Sequence, residues 1–259
     1  MIVDCHTHVT CGSSDLGLAE HLEAAEPVDT CFVLATPDGP SDKVNSTVAD
    51  YVEKHKTKMV GFAFLDPTAE PVGVKNVKAV TEKLGLVGVA LYCSRCGFHP
   101  AHSRAMRFYE STEQLGLPVF FHCGPLGPDG VLEFAQPYLL DEVARTFPAL
   151  KIIIGNMGLP FFEQTLCLVD KHKNVYADLT IRPSNVWQVY NVVAAANEQG
   201  VMDKLLFGSG FPAARAADCI ETLLGLNRLL GGANLPAVPR SNIRAVIEQD
   251  TLALLGIKK

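Results

Sequence analysis

Eight short apolar runs recur along this chain at a spacing of roughly thirty residues, the length of one strand-plus-helix unit. They occupy Ile2 to His6, Thr30 to Ala35, Met59 to Leu65, Val87 to Tyr92, Pro118 to His122, Lys151 to Gly155, Asn174 to Leu179 and Lys204 to Gly208. Amphipathic stretches separate them. Residues 104–115 read as a helix that stops at Gly116 ahead of Pro118, and 137–147 as one that stops before Pro148. The runs are almost continuously apolar, as parallel strands are when helices cover both faces of their sheet. The pattern therefore predicts an α/β fold, either closed into a (β/α)₈ barrel or left open as a doubly wound sheet. A final helix is expected over 242–255, and the 259 residues match one barrel of roughly 250, so 1–259 is read as a single domain.

Composition narrows the function classes. Hydrophobic residues make up 48% and charged residues 19%, enough apolar material for a large interior. The net charge of -6 and the absence of a long basic run argue against a nucleic-acid partner. The start, Met1-Ile2-Val3-Asp4, carries neither a basic leader nor a long apolar stretch, and no run approaches the ~18 apolar residues of a membrane span, so no membrane partner and a cytoplasmic location are expected. In that compartment all eight cysteines should be unpaired thiols.

Polar residues at the C-terminal ends of barrel strands are where function concentrates. The first run ends Asp4-Cys5-His6-Thr7-His8; because strand side chains alternate, His6 and His8 share a side, with Asp4 one step below. A lone inward histidine is ordinarily a hydrogen-bonded core residue, but a His-x-His pair at a strand end is half of a metal site. The fifth run ends at His122, a third candidate ligand.

Taken with Lys151-Ile152-Ile153-Ile154-Gly155-Asn156-Met157-Gly158 and Leu205-Leu206-Phe207-Gly208-Ser209-Gly210-Phe211-Pro212, these residues resemble the amidohydrolase superfamily. The likeness is to its amidohydrolase-related branch, which includes aminocarboxymuconate semialdehyde decarboxylase and other metal-dependent hydrolases. It runs the length of the chain and implies the closed barrel, a metal at its mouth and a homodimer. Two departures stand out. Members carry on strand six a histidine that binds or polarises the reacting group, where this chain has Asn156. On strand eight they carry an aspartate that ligates the metal and moves protons, where this chain has Gly210. A basic residue common on strand four is also replaced, by Ala90.

Three neutral imidazoles suffice for a divalent ion, zinc by the chemistry of the donors, and the missing carboxylate predicts that it is weakly held or absent. Asn156 can donate a hydrogen bond to a substrate oxygen but cannot carry a proton at neutral pH. Asp66 and Asp178, at the ends of the third and seventh runs, are the carboxylates placed to compensate, although Asp66 before Pro67 is equally a turn residue. Arg95 and His99 after the fourth run, Arg182 after the seventh and Ser209 after the eighth are candidates for contact with a small ligand; for the arginines the plain alternative is a solvated surface position. Cys93, Cys96, His99 and His102 have a C-x-x-C-x-x-H-x-x-H spacing, conceivable as a structural zinc site but with a far shorter Cys-to-His gap than a finger has. Two functions stay open: a metal-dependent hydrolase or lyase, decarboxylases included, acting on a small organic acid, ester, lactone or amide, and a catalytically silent barrel that binds a small ligand or a partner protein.

Overall fold

The computed structural model describes residues 1–9, 15–123, 129–231 and 234–258. In chain order the elements are β1 (Val3–Thr7), α1 (Asp15–Ala24), β2 (Thr30–Leu34), α2 (Ser41–Lys54), β3 (Met59–Phe64), α3 (Val74–Leu84), β4 (Gly88–Leu91) and the single turn α4 (Cys93–Cys96). They continue with α5 (Ser103–Gln114), β5 (Val119–Phe121), α6 (Leu140–Thr146), β6 (Ile152–Ile154), α7 (Phe162–Lys171), β7 (Val175–Asp178), α8 (Val186–Gln199) and β8 (Leu205–Leu206). The helices α9 (Ala216–Gly225), α10 (Arg240–Ile247) and α11 (Thr251–Leu255) follow. Each expected strand is present within one or two residues of its apolar run.

All strands are parallel and pair in sequence order from β1 to β8. The circle is closed by residues just past β8. The amide of Cys5 donates to the Phe207 carbonyl at 2.9 Å, Gly210 donates to His6 at 2.8 Å and His8 donates to Phe211 at 3.0 Å. This is the (β/α)₈ barrel rather than the open sheet. Every strand residue is buried, since helices cover the outside while side chains fill the inside.

The helix expected over 242–255 is corrected to two, α10 and α11. The cause is local. The carboxylate of Asp250 accepts from the amide of Ala253 at 3.0 Å, so this residue caps a new helix instead of continuing the old one. No disulfide joins the described cysteines, and Cys11 lies outside the described residues. No helix among the described residues is long and apolar enough to cross a membrane.

One irregularity positions the mouth. Asp4 pairs with Cys31 and Thr7 with Val33, which leaves Cys5 and His6 together opposite Phe32. Such a bulge bends the strand and re-aims its side chains. Here it lies immediately before the end of β1.

Candidate metal centre

His6, His8 and His122 converge at the C-terminal end of the barrel, one donor atom from each lying within 4.8 Å of the others. His6 is buried and rests edge-on against Phe120, with ring centroids 5.0 Å apart. His8 and His122 are partly buried. The His122 ring stacks on Tyr92 at 4.8 Å, and the Tyr92 hydroxyl is anchored on the Ala35 carbonyl at 3.0 Å. Three strand ends thus supply and brace the cluster.

The outer nitrogens of two rings are already committed. His8 Nδ1 faces the carbonyl oxygen of Leu34 at 3.1 Å, and a carbonyl only accepts, so this nitrogen carries the hydrogen. His6 Nδ1 faces the Asp178 carboxylate at 2.5 Å and is likewise the donor. Nε2 of each ring is thus turned away from these partners and toward the other ring, and the two Nε2 atoms stand 3.0 Å apart. Burial, and next the neighbouring His6, pushes the His8 pKa down to about 3. Burial, then His6 and His8, also holds His122 well below the ordinary imidazole range. His8 and His122 therefore resist protonation at neutral pH, which leaves their nitrogens suited to a divalent cation.

Asp178 closes β7 and is wholly buried. Burial alone would raise its pKa, but His6, the Thr180 hydroxyl and the Asn156 amide together outweigh it and hold the carboxyl below its usual value. It sits behind His6 rather than beside the cluster's open side. Asp4 lies deeper: its Oδ1 accepts from the amides of Ser209 at 2.9 Å and His6 at 3.2 Å, and burial pushes its pKa up to about 6.

Known proteins agree with this architecture. The profile of the amidohydrolase family matches residues 3–247. The chain belongs to the amidohydrolase family. A probable 2-pyrone-4,6-dicarboxylic acid hydrolase from Acinetobacter baumannii, solved with citric acid bound, superposes with a TM-score of 0.70 at 15% identity, covering 98% of this chain and 99% of that one. The 5-carboxyvanillate decarboxylase of Novosphingobium aromaticivorans, complexed with manganese and 4-hydroxy-3-methoxy-5-nitrobenzoic acid, gives a TM-score of 0.69 at 11% identity over 99% and 96% of the two chains. At these identities the likeness is one of fold. The dihydroorotase of Helicobacter acinonychis (strain Sheeba) is 28% identical over 127 residues, 49% of this chain, and the chain matches only 32% of that relative's length.

The surroundings of position 210 disfavour a side chain there. Gly210 has φ of +67°, a conformation that L side chains rarely adopt, and a Cβ there would come within 2.6 Å of Thr180 Cγ2. Thr180 itself has φ of 39°, uncommon for a β-branched residue, and its hydroxyl donates to Asp178 Oδ2 while facing His6 Nδ1 at 2.8 Å. The methyl of Thr180 and a side chain at 210 compete for one space. Asn156 also lies in the left-handed region, at φ of 53°; its backbone amide donates to Asp178 Oδ2 at 3.0 Å. Its side-chain Nδ2 is buried without a hydrogen-bond partner among the described residues.

The remaining sequence candidates separate by location. Arg95 is half exposed at the rim and binds Asp38 through Nη2 at 2.6 Å. Asp38, in the loop after β2, also accepts from the Thr36 hydroxyl at 2.6 Å. Burial opposes its ionisation, yet Thr36 and Arg95 outweigh that and lower its pKa; its charge in turn reaches His8. Asp38, Thr180 and Tyr92 are the site residues that sequence reasoning passed over, and the only available signal was their position at or just after strand ends. Asp66 is the turn residue, its Oδ1 accepting from the amide and hydroxyl of Thr68 at 2.8 and 2.7 Å. His99 accepts from the Ala101 amide through Nδ1 at 3.0 Å, and His102 caps α5. Among the described residues Cys93, Cys96, His99 and His102 form no metal-holding group. Ser209 is buried, its amide on Asp4 and its Oγ accepting from the Phe211 amide at 3.2 Å, which makes it part of the barrel seam. Arg182 borders a separate pocket with Leu159, Thr180 and Gln188.

Two expectations follow. His21, buried on α1 with Nδ1 2.7 Å from the Tyr51 hydroxyl, has its pKa pushed down to about 4, chiefly by burial, as His8 has to about 3. Between these values and about 6.5 the unfolded chain binds more protons, so metal-free protein should lose stability as pH falls through that window. Asp4 acts in the opposite direction but is a single group. Denaturant titration of His21→Gln between pH 4.5 and 6.5 should show a shallower pH slope than wild type, by up to about 1.4 kcal/mol per pH unit; an equal slope contradicts the assignment. Second, Gly210→Ala should destabilise the protein by at least about 1 kcal/mol from its φ alone. The loss should shrink in a Thr180→Ser background, which removes Cγ2 and keeps the hydroxyl. Strictly additive effects would show that the two positions do not compete.

Proposed function

We propose that this amidohydrolase holds one divalent cation, zinc by the nature of its donors, between Nε2 of His6, Nε2 of His8 and a ring nitrogen of His122. With that ion it acts on a small carboxylate-bearing substrate, as a hydrolase or decarboxylase. This reading is carried by the convergence of three ring nitrogens, with the Nε2 atoms of His6 and His8 facing each other at 3.0 Å while Nδ1 of each ring is engaged elsewhere. A trio of converging imidazoles, two of them held well below the ordinary imidazole range, is a donor set zinc favours. When bound, such an ion supplies Lewis acidity toward a substrate oxygen.

The chain's own residues set the rest. Arg95 has guanidinium donors beyond the one spent on Asp38, and its positive charge already bears on His122, so it favours an anionic group docking beside the cluster. A small cleft lined by Cys93, Cys123, Phe134 and Gln136 adjoins His122. The idle Nδ2 of Asn156 supplies a hydrogen bond to an oxygen brought within its reach. The names of the similar structures, a dicarboxylic acid hydrolase and a carboxyvanillate decarboxylase, support a carboxylate-bearing substrate.

A second reading, a barrel that binds such a ligand without turning it over, is favoured by Asn156 and Gly210, neither of which moves a proton at neutral pH. One experiment separates the three cases. Protein equilibrated with zinc and freed of excess should carry one zinc per chain by elemental analysis, lost in His8→Ala and His122→Ala. The loaded protein should then release carbon dioxide or open a ring in a panel of aromatic acids and lactones. Stoichiometric zinc with no turnover selects the silent barrel, and no zinc retained by wild type removes the metal reading altogether.

A further inference from the structure

A dipositive ion between His6, His8 and His122 would face three rings, with no carboxylate among the three donors. Building on that reading, we propose that Asp178 is the carboxylate of this centre, acting through the His6 ring as a positioning residue, and that Thr180 and Gly210 are the paired features that install it.

Asp178 Oδ2 receives His6 Nδ1–H at 2.5 Å, which fixes the ring's rotation about its stem and leaves Nε2 as the only free donor. An anion on Nδ1–H also makes the ring a more basic ligand, so negative charge reaches the ion through the imidazole. The carboxylate is itself held on every side. Asn156 N–H reaches Oδ2 at 3.0 Å, Thr180 N–H reaches Oδ1 at 2.8 Å and the Thr180 hydroxyl reaches Oδ2. None of these donors comes from solvent, and Asp178 is 0% exposed.

The neighbouring glycines show that the space was arranged for this contact. A Cβ on Gly208 would fall 2.1 Å from Asp178 Oδ1 and 3.0 Å from His6 Cβ. A Cβ on Gly210 would fall 2.6 Å from Thr180 Cγ2. Thr180 reaches Asp178 from a backbone with positive φ, and in that conformation its methyl fills the volume into which a side chain at 210 would grow. The carboxylate on β7, with its threonine clamp, and a carboxylate on position 210 are therefore alternatives. This chain has built the first.

Zinc affinity is the main test, read by competition with a chromophoric chelator on the full-length protein. Asp178→Asn should weaken zinc binding by roughly 10- to 100-fold while the three histidines remain. Thr180→Val, which keeps the shape and removes only the hydroxyl, should weaken it in the same direction and by less. Nitrogen-15 spectra of metal-free wild type, which require no variant to fold, should show His6 protonated at Nδ1. Zinc bound by wild type, lost in His8→Ala and retained within twofold in Asp178→Asn overturns the role of Asp178 and leaves the metal reading standing. A His6 ring carrying hydrogen at Nε2 and none at Nδ1 in the metal-free protein overturns it too. Wild type that takes up no zinc overturns the metal reading and this inference with it.

Discussion

A carboxylate shut away from water stays ionised only where donors surround it, and the mouth of this barrel is organised around meeting that condition for Asp178. Two backbone amides, one hydroxyl and one imidazole N–H converge on its two oxygens. Supplying them draws in β1 through His6, the segment after β6 through Asn156 and the segment after β7 through Thr180. β8, which lies between β7 and β1 in the ring, is only two residues long, and its continuation lacks a Cβ at Gly208 where one would collide with the carboxylate. The contact between His6 and Asp178 thus passes behind the shortest strand and ties together the two strands that flank it.

That arrangement carries backbone strain. Asn156, Met157 and Thr180 all have positive φ, each in a region that costs on the order of 1–3 kcal/mol for a residue other than glycine. All three lie just past the ends of β6 and β7, and two of them donate directly to Asp178. Asparagine tolerates the left-handed region better than most residues because its short polar side chain bonds locally. Among the described residues its Nδ2 has no such bond, and the conformation serves instead the backbone amide aimed at Asp178.

Much of this was legible in the sequence. The strands were readable because buried parallel strands are nearly uniform in apolar residues, and His6, His8 and His122 because imidazoles at the ends of such runs are chemically out of place. The closing helix was misread, since periodicity over 242–255 is unbroken while the interruption comes from one capping carboxylate, Asp250. The part played by Asp178 was visible only as a carboxylate near a strand end. Its burial and its grip on His6 depend on a residue 172 positions away, which no local pattern records. Asp38 was hidden in a segment, Thr36-Pro37-Asp38-Gly39-Pro40, whose composition announces a turn and nothing more. Gly210 is evident in the sequence, whereas its contact is not: the methyl of Thr180, 174 residues from His6 and beyond any local pattern, is brought by the fold to within 2.6 Å of where a Cβ at 210 would lie.

The claim that the ion is held by three imidazoles, with the carboxylate behind them, bears most directly on the atoms next to the metal. X-ray absorption spectroscopy of zinc-loaded protein reads that shell without reference to turnover. The account requires three imidazole nitrogens at about 2.0–2.1 Å, with any remaining ligand a small exchangeable molecule. Fewer than three imidazoles, or a shell that changes when Asp38 or Asp178 is converted to its amide because a carboxylate oxygen has left the metal, would contradict it.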